Sequence, residues 1–184
     1  MVTVGGKRVE INLLGVLGSL LMILAMFFPW WTFAMEFNEP TNLYPYLLDG
    51  PASEIIGYKR SPQMTLLTVV LFVCILLALV GAFSPKRRSR LLLVISGVLN
   101  SLAVWRLLER VGGVAAIYNM PIQGESIASY GGFAKVKVWS RIQPGLYLDV
   151  AGIVFILLGA IFLWSTFIRP ENHPVMTEEA SADG

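Results

Sequence analysis

The sequence is poor in the residues that most membrane redox and metal enzymes need. Its 184 residues include one cysteine, Cys74, and one histidine, His173. A single cysteine excludes an intrachain disulfide, a CxxC redox pair and a thiolate zinc site. These absences argue against quinone-linked thiol oxidases, b-type cytochromes and most metal-dependent enzymes, unless a partner subunit supplies the ligands. We therefore predict no cofactor and no metal site, and interpret Cys74 as a small core hydrophobe.

Charge is the second shortage. Only 14% of the residues are charged and 55% are hydrophobic, with a mean hydropathy of +0.67, whereas soluble domains have about 25% charged residues. One small soluble core cannot bury so much apolar surface, so the sequence predicts a lipid bilayer as the main partner. The net charge of +2 is too small to indicate nucleic-acid binding.

Catalytic motifs are also missing from the sequence. There is no HExxH, no phosphate-binding glycine loop in a strand–helix context and no recognisable nucleophile–base pair. No Asn-x-Ser/Thr acceptor occurs either, so nothing indicates a glycosylated ectodomain. The sequence therefore predicts a protein that is not an enzyme.

Four apolar runs approach the ~20 residues needed to cross a bilayer. We predict spans at 11–33, 64–83, 91–110 and 145–168, with an extension of the third to residue 118 left open. The predicted fold class is all-α membrane: a four-transmembrane-helix bundle with a small β element in the extracytoplasmic loops. The remaining segments are a cytoplasmic N-terminus, two outer loops, a basic inner loop and a disordered cytoplasmic tail (1–10, 34–63, 119–144, 84–90 and 169–184).

Basic and aromatic residues predict the orientation. Four basic residues lie in the short loop between the second and third runs, and such density is typical of the cytoplasmic side. They are Lys86, Arg87, Arg88 and Arg90. We therefore predict a multi-pass protein of the cell membrane with both termini in the cytoplasm. Five tryptophans are interpreted as interface anchors: Trp30, Trp31, Trp105, Trp139 and Trp164.

The second outer loop contains the clearest strand pattern. In 133–139 the residues Phe133, Lys135, Lys137 and Trp139 alternate with small apolar ones, which is typical of a strand with one exposed face. Lysines fit an exposed or edge position. We predict that this strand, together with residues 44–48 of the first outer loop, forms a contact surface.

A short internal repeat predicts how the helices pack. Gly15-Val-Leu-Gly-Ser-Leu recurs 82 residues later as Gly97-Val-Leu-Asn-Ser-Leu, which suggests two tandem helix–loop–helix halves. Small residues at i and i+4 let helices approach closely in lipid. From Gly15 and Ser19, and from Gly97 and Ser101, we predict that the first and third helices meet. Asn100 in the same repeat is expected to bond across helices, with solute binding as the alternative.

Charged residues near the outer ends of the last two helices form a candidate ion-pair cluster. Arg106, Glu109 and Arg110 fall on one face of the third helix, and Asp149 lies near the start of the fourth. Charges at an interface cost little, whereas charges at membrane depth are expensive and indicate function. Both interpretations, a structural cluster and the lining of a solute path, remain open at this point.

The layout of four spans, long outer loops with a strand and a short basic inner loop resembles the claudin-like tetraspan proteins. The resemblance is architectural and covers the whole chain, and it implies outer-loop strands packed over a four-helix bundle. The family's first outer loop carries a Trp-containing motif and a Cys pair, whereas Trp30 and Trp31 here end a helix and the Cys pair is missing. No barrier or pore activity is therefore inferred.

Three functions are compatible with these patterns. The favoured hypothesis is a non-catalytic membrane protein that acts as an accessory subunit, an assembly factor or an envelope interaction module. Its expected partners are the bilayer and other membrane proteins or further copies of itself. The alternative is a small transporter or channel with Asn100, Arg106, Glu109 and Asp149 along a polar path. An enzyme acting on lipid or quinone is the least favoured.

Overall fold

The computed structural model describes residues 2–4, 7–9, 11–36, 38–56, 59–84, 86–117, 119–130 and 134–165. The predicted tail at 169–184 and the last residues of the predicted fourth span lie outside these ranges. Helices make up most of the described chain. They are α1 (Leu13–Ala25), α2 (Pro51–Ile56), α3 (Pro62–Ala82), α4 (Lys86–Ile117) and α5 (Pro144–Ser165). The strands are β1 (Val2–Val4), β2 (Lys7–Val9), β3 (Trp31–Met35), β4 (Thr41–Leu43), β5 (Leu48–Asp49), β6 (Gly124–Tyr130) and β7 (Ala134–Ile142).

Three helices are long and apolar enough to cross a membrane: α3, α4 and α5. The fourth apolar run forms a shorter helix, because α1 has 13 residues and rises only ~20 Å. The sequence predicted this span to run on to residue 33, but the chain leaves the helix at Met26 and enters β3 at Trp31. The aromatic stretch thus divides between a turn and a strand instead of ending a helix.

Side-chain caps fix the starts of two helices. Asn12 Oδ1 accepts a hydrogen bond from the Gly15 N–H at 3.0 Å, and Ser61 Oγ accepts one from Met64 at 3.2 Å. Asn12 also reaches across to α5, where its Nδ2 donates to Gly159 O at 3.1 Å. The cap therefore ties the first helix to the last as well as satisfying an orphan N–H.

The long helices pack in a ring in which α1 contacts α5 and α3, and α4 contacts α3 and α5. The first and third apolar helices, α1 and α4, therefore lie diagonally across this ring. The sequence predicted that they meet near Gly15 and Gly97, and they approach each other near Gly15 alone of these two. Their contact is limited to positions such as Leu93, whose Cδ2 would lie 3.2 Å from a Cβ added at Gly15. Gly97 instead faces Leu157 of α5.

A close backbone contact joins α1 to α5 through glycines. A Cβ added at Gly18 would lie 2.7 Å from both Gly152 O and Ile156 Cγ1, and one added at Gly152 would lie 2.8 Å from Met22 Cγ. Small residues permit this approach, as the repeat suggested in general, but the pair they join differs from the expected one. Ser19 and Ser101 donate to carbonyls of their own helices, at Gly15 and Gly97.

The connection from α1 to α3 and the connection from α4 to α5 contribute to one antiparallel sheet, in the order β5-β4-β3-β7-β6. β3 pairs with β7 along five residues, from Trp31 opposite Ile142 to Met35 opposite Val138. One sheet face packs on the last turns of α4, where Val111 and Ala115 are buried. This contact explains why α4 continues past residue 110 to Ile117. The predicted strand at 133–139 lies largely within β7.

Two terminal features differ from the sequence predictions. The basic segment predicted as a loop at 84–90 is largely helical, since α4 begins at Lys86. Arg87, Arg88 and Arg90 are therefore exposed on the first turns of α4, while the side chain of Lys86 lies outside the described set. At the N-terminus, β1 and β2 pair as an antiparallel hairpin, which the sequence did not predict.

Candidate functional site

The helix ring contains one polar pair that joins α4 to α5. Asn100 Nδ2 donates to both carboxylate oxygens of Asp149 at 3.1 Å. The two side chains are 0% and 1% exposed. Asn100 belongs to the inward stripe of α4, which recurs every three or four residues through Leu93, Ser96 and Val104.

The amide of Asn100 is only half used. Its Oδ1 is buried and has no hydrogen-bond partner among the described residues. The neighbouring polar groups are already engaged, because Ser96 Oγ donates to Cys74 O at 2.7 Å and Ser19 Oγ donates to Gly15 O at 2.7 Å. The pair thus leaves one buried acceptor open, a feature that calls for an explanation in a native protein.

Hydrophobic layers enclose the pair along the helix axes. One buried cluster contains Trp30, Leu71, Val104, Leu146 and Ile153; Val104 and Leu146 lie on the sheet side of the pair, and Ile153 lies one turn beyond Asp149 on α5. On the opposite side lies a second cluster, which includes Met22, Cys74, Ala78, Leu93, Ile156 and Ala160. Asn100 and Asp149 therefore form a polar layer between two apolar ones, and a ligand would have to pass one of these layers to reach it.

The predicted ion-pair cluster of four residues does not form. Arg106 pairs with Glu109 on the exposed surface of α4, and Arg110 is exposed beside them. Asp149 is buried and bonded to Asn100 instead. The inward stripe of α4 passes through Asn100 and Val104, which turns residues 106, 109 and 110 outward. The sequence analysis named both Asn100 and Asp149 but did not pair them. The spacing of the inward stripe of α4 places Asn100 on the buried face and Arg106 outside it, and was the available signal for this pairing.

A second candidate site is the outward face of β6 and β7. Lys135 and Lys137 are exposed whereas Val138 is fully buried, so the sides of β7 alternate as the sequence predicted. Lys137 Nζ forms an ion pair with Glu125 Oε2 at 2.7 Å. The side-chain hydrogen bond to Lys137 lowers the pKa of Glu125, and the same bond to Glu125 raises the pKa of Lys137.

This face forms a shallow hollow of about 450 Å³. Its lining combines acidic and basic side chains with one large apolar side chain, Ile127, which is 68% exposed. The lining residues are Glu36, Glu125, Ser126, Ile127, Lys135 and Lys137. We call these six residues the sheet patch. Glu36 Oε2 accepts a hydrogen bond from the Lys137 backbone N–H at 3.1 Å, which ties the first outer connection to β7.

The five tryptophans occupy different environments. Trp30 and Trp31 are buried, and their Nε1–H groups donate to Ala25 O at 2.8 Å and Ile122 O at 2.9 Å. Both are core residues, and their predicted role as interface anchors is wrong, because each polar edge is satisfied by a backbone carbonyl instead of water. Trp105 is 72% exposed and Trp139 is half-buried. Trp164 lies in α5, with its side chain outside the described set.

The predicted contact stretch 44–48 is partly consumed by internal packing. Pro45 is buried and its carbonyl accepts a hydrogen bond from Thr68 Oγ1 at 3.1 Å. Tyr44 and Tyr46 stack at a centroid distance of 5.8 Å and are half-buried. This stretch therefore braces the sheet against α3 and offers less free surface than the sheet patch.

Within the described ranges, no group of three or more His, Cys, Asp or Glu side chains could hold a metal ion. Comparison with protein-family models gives no match, and comparison with curated proteins gives no significant match.

Proposed function

We propose that this chain is a four-helix integral membrane protein that acts without catalysis and presents the sheet patch to a partner protein. The observation that carries this proposal is the sheet itself. Strands from both outer connections form a single surface, and its inner face is fixed on α4. A surface built on such rigid elements is suited to recognition.

The membrane location is supported by the apolar outer surface of the helices. Large apolar side chains on α1, α3, α4 and α5 are exposed, in a density that water does not tolerate on a monomer. Examples are Leu20 and Leu24 of α1, Phe72 and Val80 of α3, Leu102 of α4 and Ile161 of α5. The helix α1 rises only ~20 Å, but the exposed Phe27 and Phe28 continue its apolar surface toward the sheet end.

The basic first turns of α4 support the orientation. Arg87, Arg88 and Arg90 lie at the end of α4 opposite the sheet, and dense basic residues next to spans favour the cytoplasmic side. The sheet would then face outward and both termini inward. The arrangement of a sheet over helices is also what the architectural resemblance to claudin-like proteins implies.

The chemistry of the sheet patch favours a partner with a small apolar group and acidic neighbours. Ile127 offers an exposed apolar contact, and Lys135 carries a cation for which the described ranges show no ion pair. An apolar contact with a polar rim is the usual arrangement of a protein interface. Among the strands that the structure describes, β6 is the last of the sheet, and its outer edge beside this patch is placed to add backbone hydrogen bonds to a strand of the partner.

The test is co-purification after gentle detergent extraction. Lys135→Glu with Lys137→Glu should remove the partner, because the double change replaces both cations of the sheet patch with carboxylates and breaks the ion pair of Lys137 with Glu125. Lys59→Glu with Arg60→Glu is the matched control, since both side chains are exposed outside the patch and the charge change is equal. Unchanged co-purification of the patch variant with a stably folded protein would contradict the proposal.

A second candidate function, a small transporter, is favoured by the buried pair of Asn100 and Asp149. A polar layer between spanning helices is a usual mark of a solute or ion path. Asp149→Asn should then abolish solute flux in proteoliposomes while partner binding persists. The first function would be favoured if the unmodified protein showed no flux and the Lys135→Glu, Lys137→Glu variant lost its partner.

A further inference from the structure

We propose that Asp149 and Asn100 form a proton-binding site within the membrane, in which the Asp149 carboxyl group takes up the proton and Asn100 holds it. The inference rests on the proposed passage of α4 and α5 through the bilayer. It assigns a ligand, the proton, to two buried residues that take no part in partner binding by the sheet patch.

The first argument is charge balance. Within the described ranges, Asp149 is the one buried carboxyl group. Among the side chains that the structure describes, no lysine, arginine or histidine is buried. The nearest cations along α4 are Arg106 and Arg110, which are exposed, and Arg106 pairs with Glu109. An ionised carboxylate with one amide as its polar contact is strongly unfavourable at membrane depth. A bound proton removes that charge with no further partner.

The second argument is the orphaned oxygen of Asn100. The amide touches Asp149 through Nδ2 at 3.1 Å and leaves Oδ1 open. A half-turn of the amide exchanges these two atoms within nearly the same shape. Oδ1 then stands at hydrogen-bond distance from the carboxyl group and accepts the O–H of a protonated Asp149. The amide can therefore bind either state: its N–H donates to the carboxylate, or its oxygen accepts from the acid.

The position of the pair indicates the side from which the proton enters. Asp149 lies five residues after the start of α5 at Pro144, or ~8 Å along the helix. The opposite end of α5 at Ser165 lies 16 residues away, or ~24 Å. Exchange with water is therefore shorter through the sheet end, where Trp30 and Leu146 cover the pair. Opening of that layer would control the rate of proton uptake.

The groups around Asp149 leave few competitors for the proton. On α3, the nearby titratable group is Cys74, whose thiol is affected by the charge of Asp149. The inward residues of α1 near this level, Ser19 and Met22, carry no charge. On α4 the facing group is Asn100, which does not titrate. In the uptake step one O–H bond forms on Asp149 while one O–H bond of a hydronium ion at the sheet end breaks, which leaves a neutral acid and a water molecule.

Infrared spectroscopy of the full chain in lipid nanodiscs tests the site directly, through the carbonyl stretch of a protonated carboxylic acid. The sequence has three aspartates, Asp49, Asp149 and Asp183, so labelling all aspartates with 13C isolates three candidates without any substitution. We expect a label-shifted acid band in neutral buffer that disappears in Asp149→Asn and persists in the control Asp49→Asn. In Asn100→Ala the band should move to higher frequency, because its hydrogen bond is lost.

Three outcomes would overturn the proposal. The labelled wild-type protein could show no acid band from mildly acidic to mildly alkaline buffer, which would mean that Asp149 stays ionised. The band could persist in Asp149→Asn, which would assign it to another aspartate. At constant pH, addition of sodium ions could remove the band, which would identify a cation site instead. None of these results bears on co-purification through the sheet patch, so this inference and the proposed function fail separately.

Discussion

Gly18→Ala should loosen the contact between α1 and α5. The matched control is alanine at a helical glycine that has open space around it. The Cβ added at Gly18 would stand 2.7 Å from Gly152 O and from Ile156 Cγ1. Ordinary van der Waals contact begins at 3.4 Å. The isoleucine could adjust its side chain, but the carbonyl oxygen belongs to the backbone of α5, so the two helices must move apart.

The size of the effect follows from two opposing contributions. Forcing an extra methyl group into a packed contact costs about 1–3 kcal/mol. Replacing glycine by alanine in a helix returns about 1 kcal/mol through backbone entropy. Gly113 of α4 provides the control, because a Cβ there would meet nothing within 4 Å and Gly113→Ala gains only the second contribution. The two variants should therefore differ by about 1–3 kcal/mol, with Gly18→Ala the less stable.

Thermal unfolding in one detergent measures this difference. A shift of roughly 2–4 °C per kcal/mol for a chain of this size gives a gap of roughly 2–12 °C between the melting temperatures. Gly152→Ala should resemble Gly18→Ala, since its Cβ would lie 2.9 Å from Gly18 O. Equal melting temperatures for the Gly18 and Gly113 variants would refute the close approach of α1 and α5.

Three further predictions concern single side chains. Trp30→Phe removes a donor to a carbonyl in the last turn of α1 and should lower the unfolding free energy by about 1–3 kcal/mol, whereas the control Trp105→Phe, at an exposed position, should change the melting temperature little. Asn100→Ala should cost about 1–2 kcal/mol by the same melting assay, because a buried interhelical hydrogen bond is lost; an unchanged melting temperature would contradict the pairing. The pKa of Glu125 is lowered by its bond to Lys137, so the contribution of this pair to the β6–β7 hairpin is present above the ordinary glutamate range and is lost as the pH falls through the lowered value. Amide NMR shifts of the hairpin should report that transition and should not show it in Glu125→Gln.

The sequence predicted where the long apolar helices lie better than it predicted which helices pack against each other. The runs predicted at 64–83 and 145–168 correspond, over the described residues, to α3 (Pro62–Ala82) and α5 (Pro144–Ser165), because a continuous apolar run has few alternatives. Which helix packs on which could not be inferred, since small residues occur on every helix and each set has several compatible partners. Gly15 and Gly97 both lie at close helix contacts, but Gly15 faces α3 as well as α4, and Gly97 faces α5.

The first helix and the buried pair show two different limits of sequence reasoning. Trp30 and Trp31 carry apolar rings and polar N–H groups that suit an interface and a protein core equally well, and only the pairing of β3 with β7 decides between them. Asn100 and Asp149 were both singled out, but their relation depends on the rotation of two helices about their axes. That rotation is set by the packing of all the helices together, and the residues of a single apolar run do not define it.

The pairing of β3 with β7 also sets the order in which the protein can be completed during synthesis. Met35 lies opposite Val138, so about a hundred residues must follow β3 before its neighbour leaves the ribosome. At about 5–20 residues per second this interval lasts roughly 5–20 s. Throughout it one side of β3 lacks its partner β7, while α3 and α4 are being synthesised. The newborn N-terminal half is therefore exposed to wrong pairing, and a ribosome that stalls before β7 would release a chain ready to join another copy.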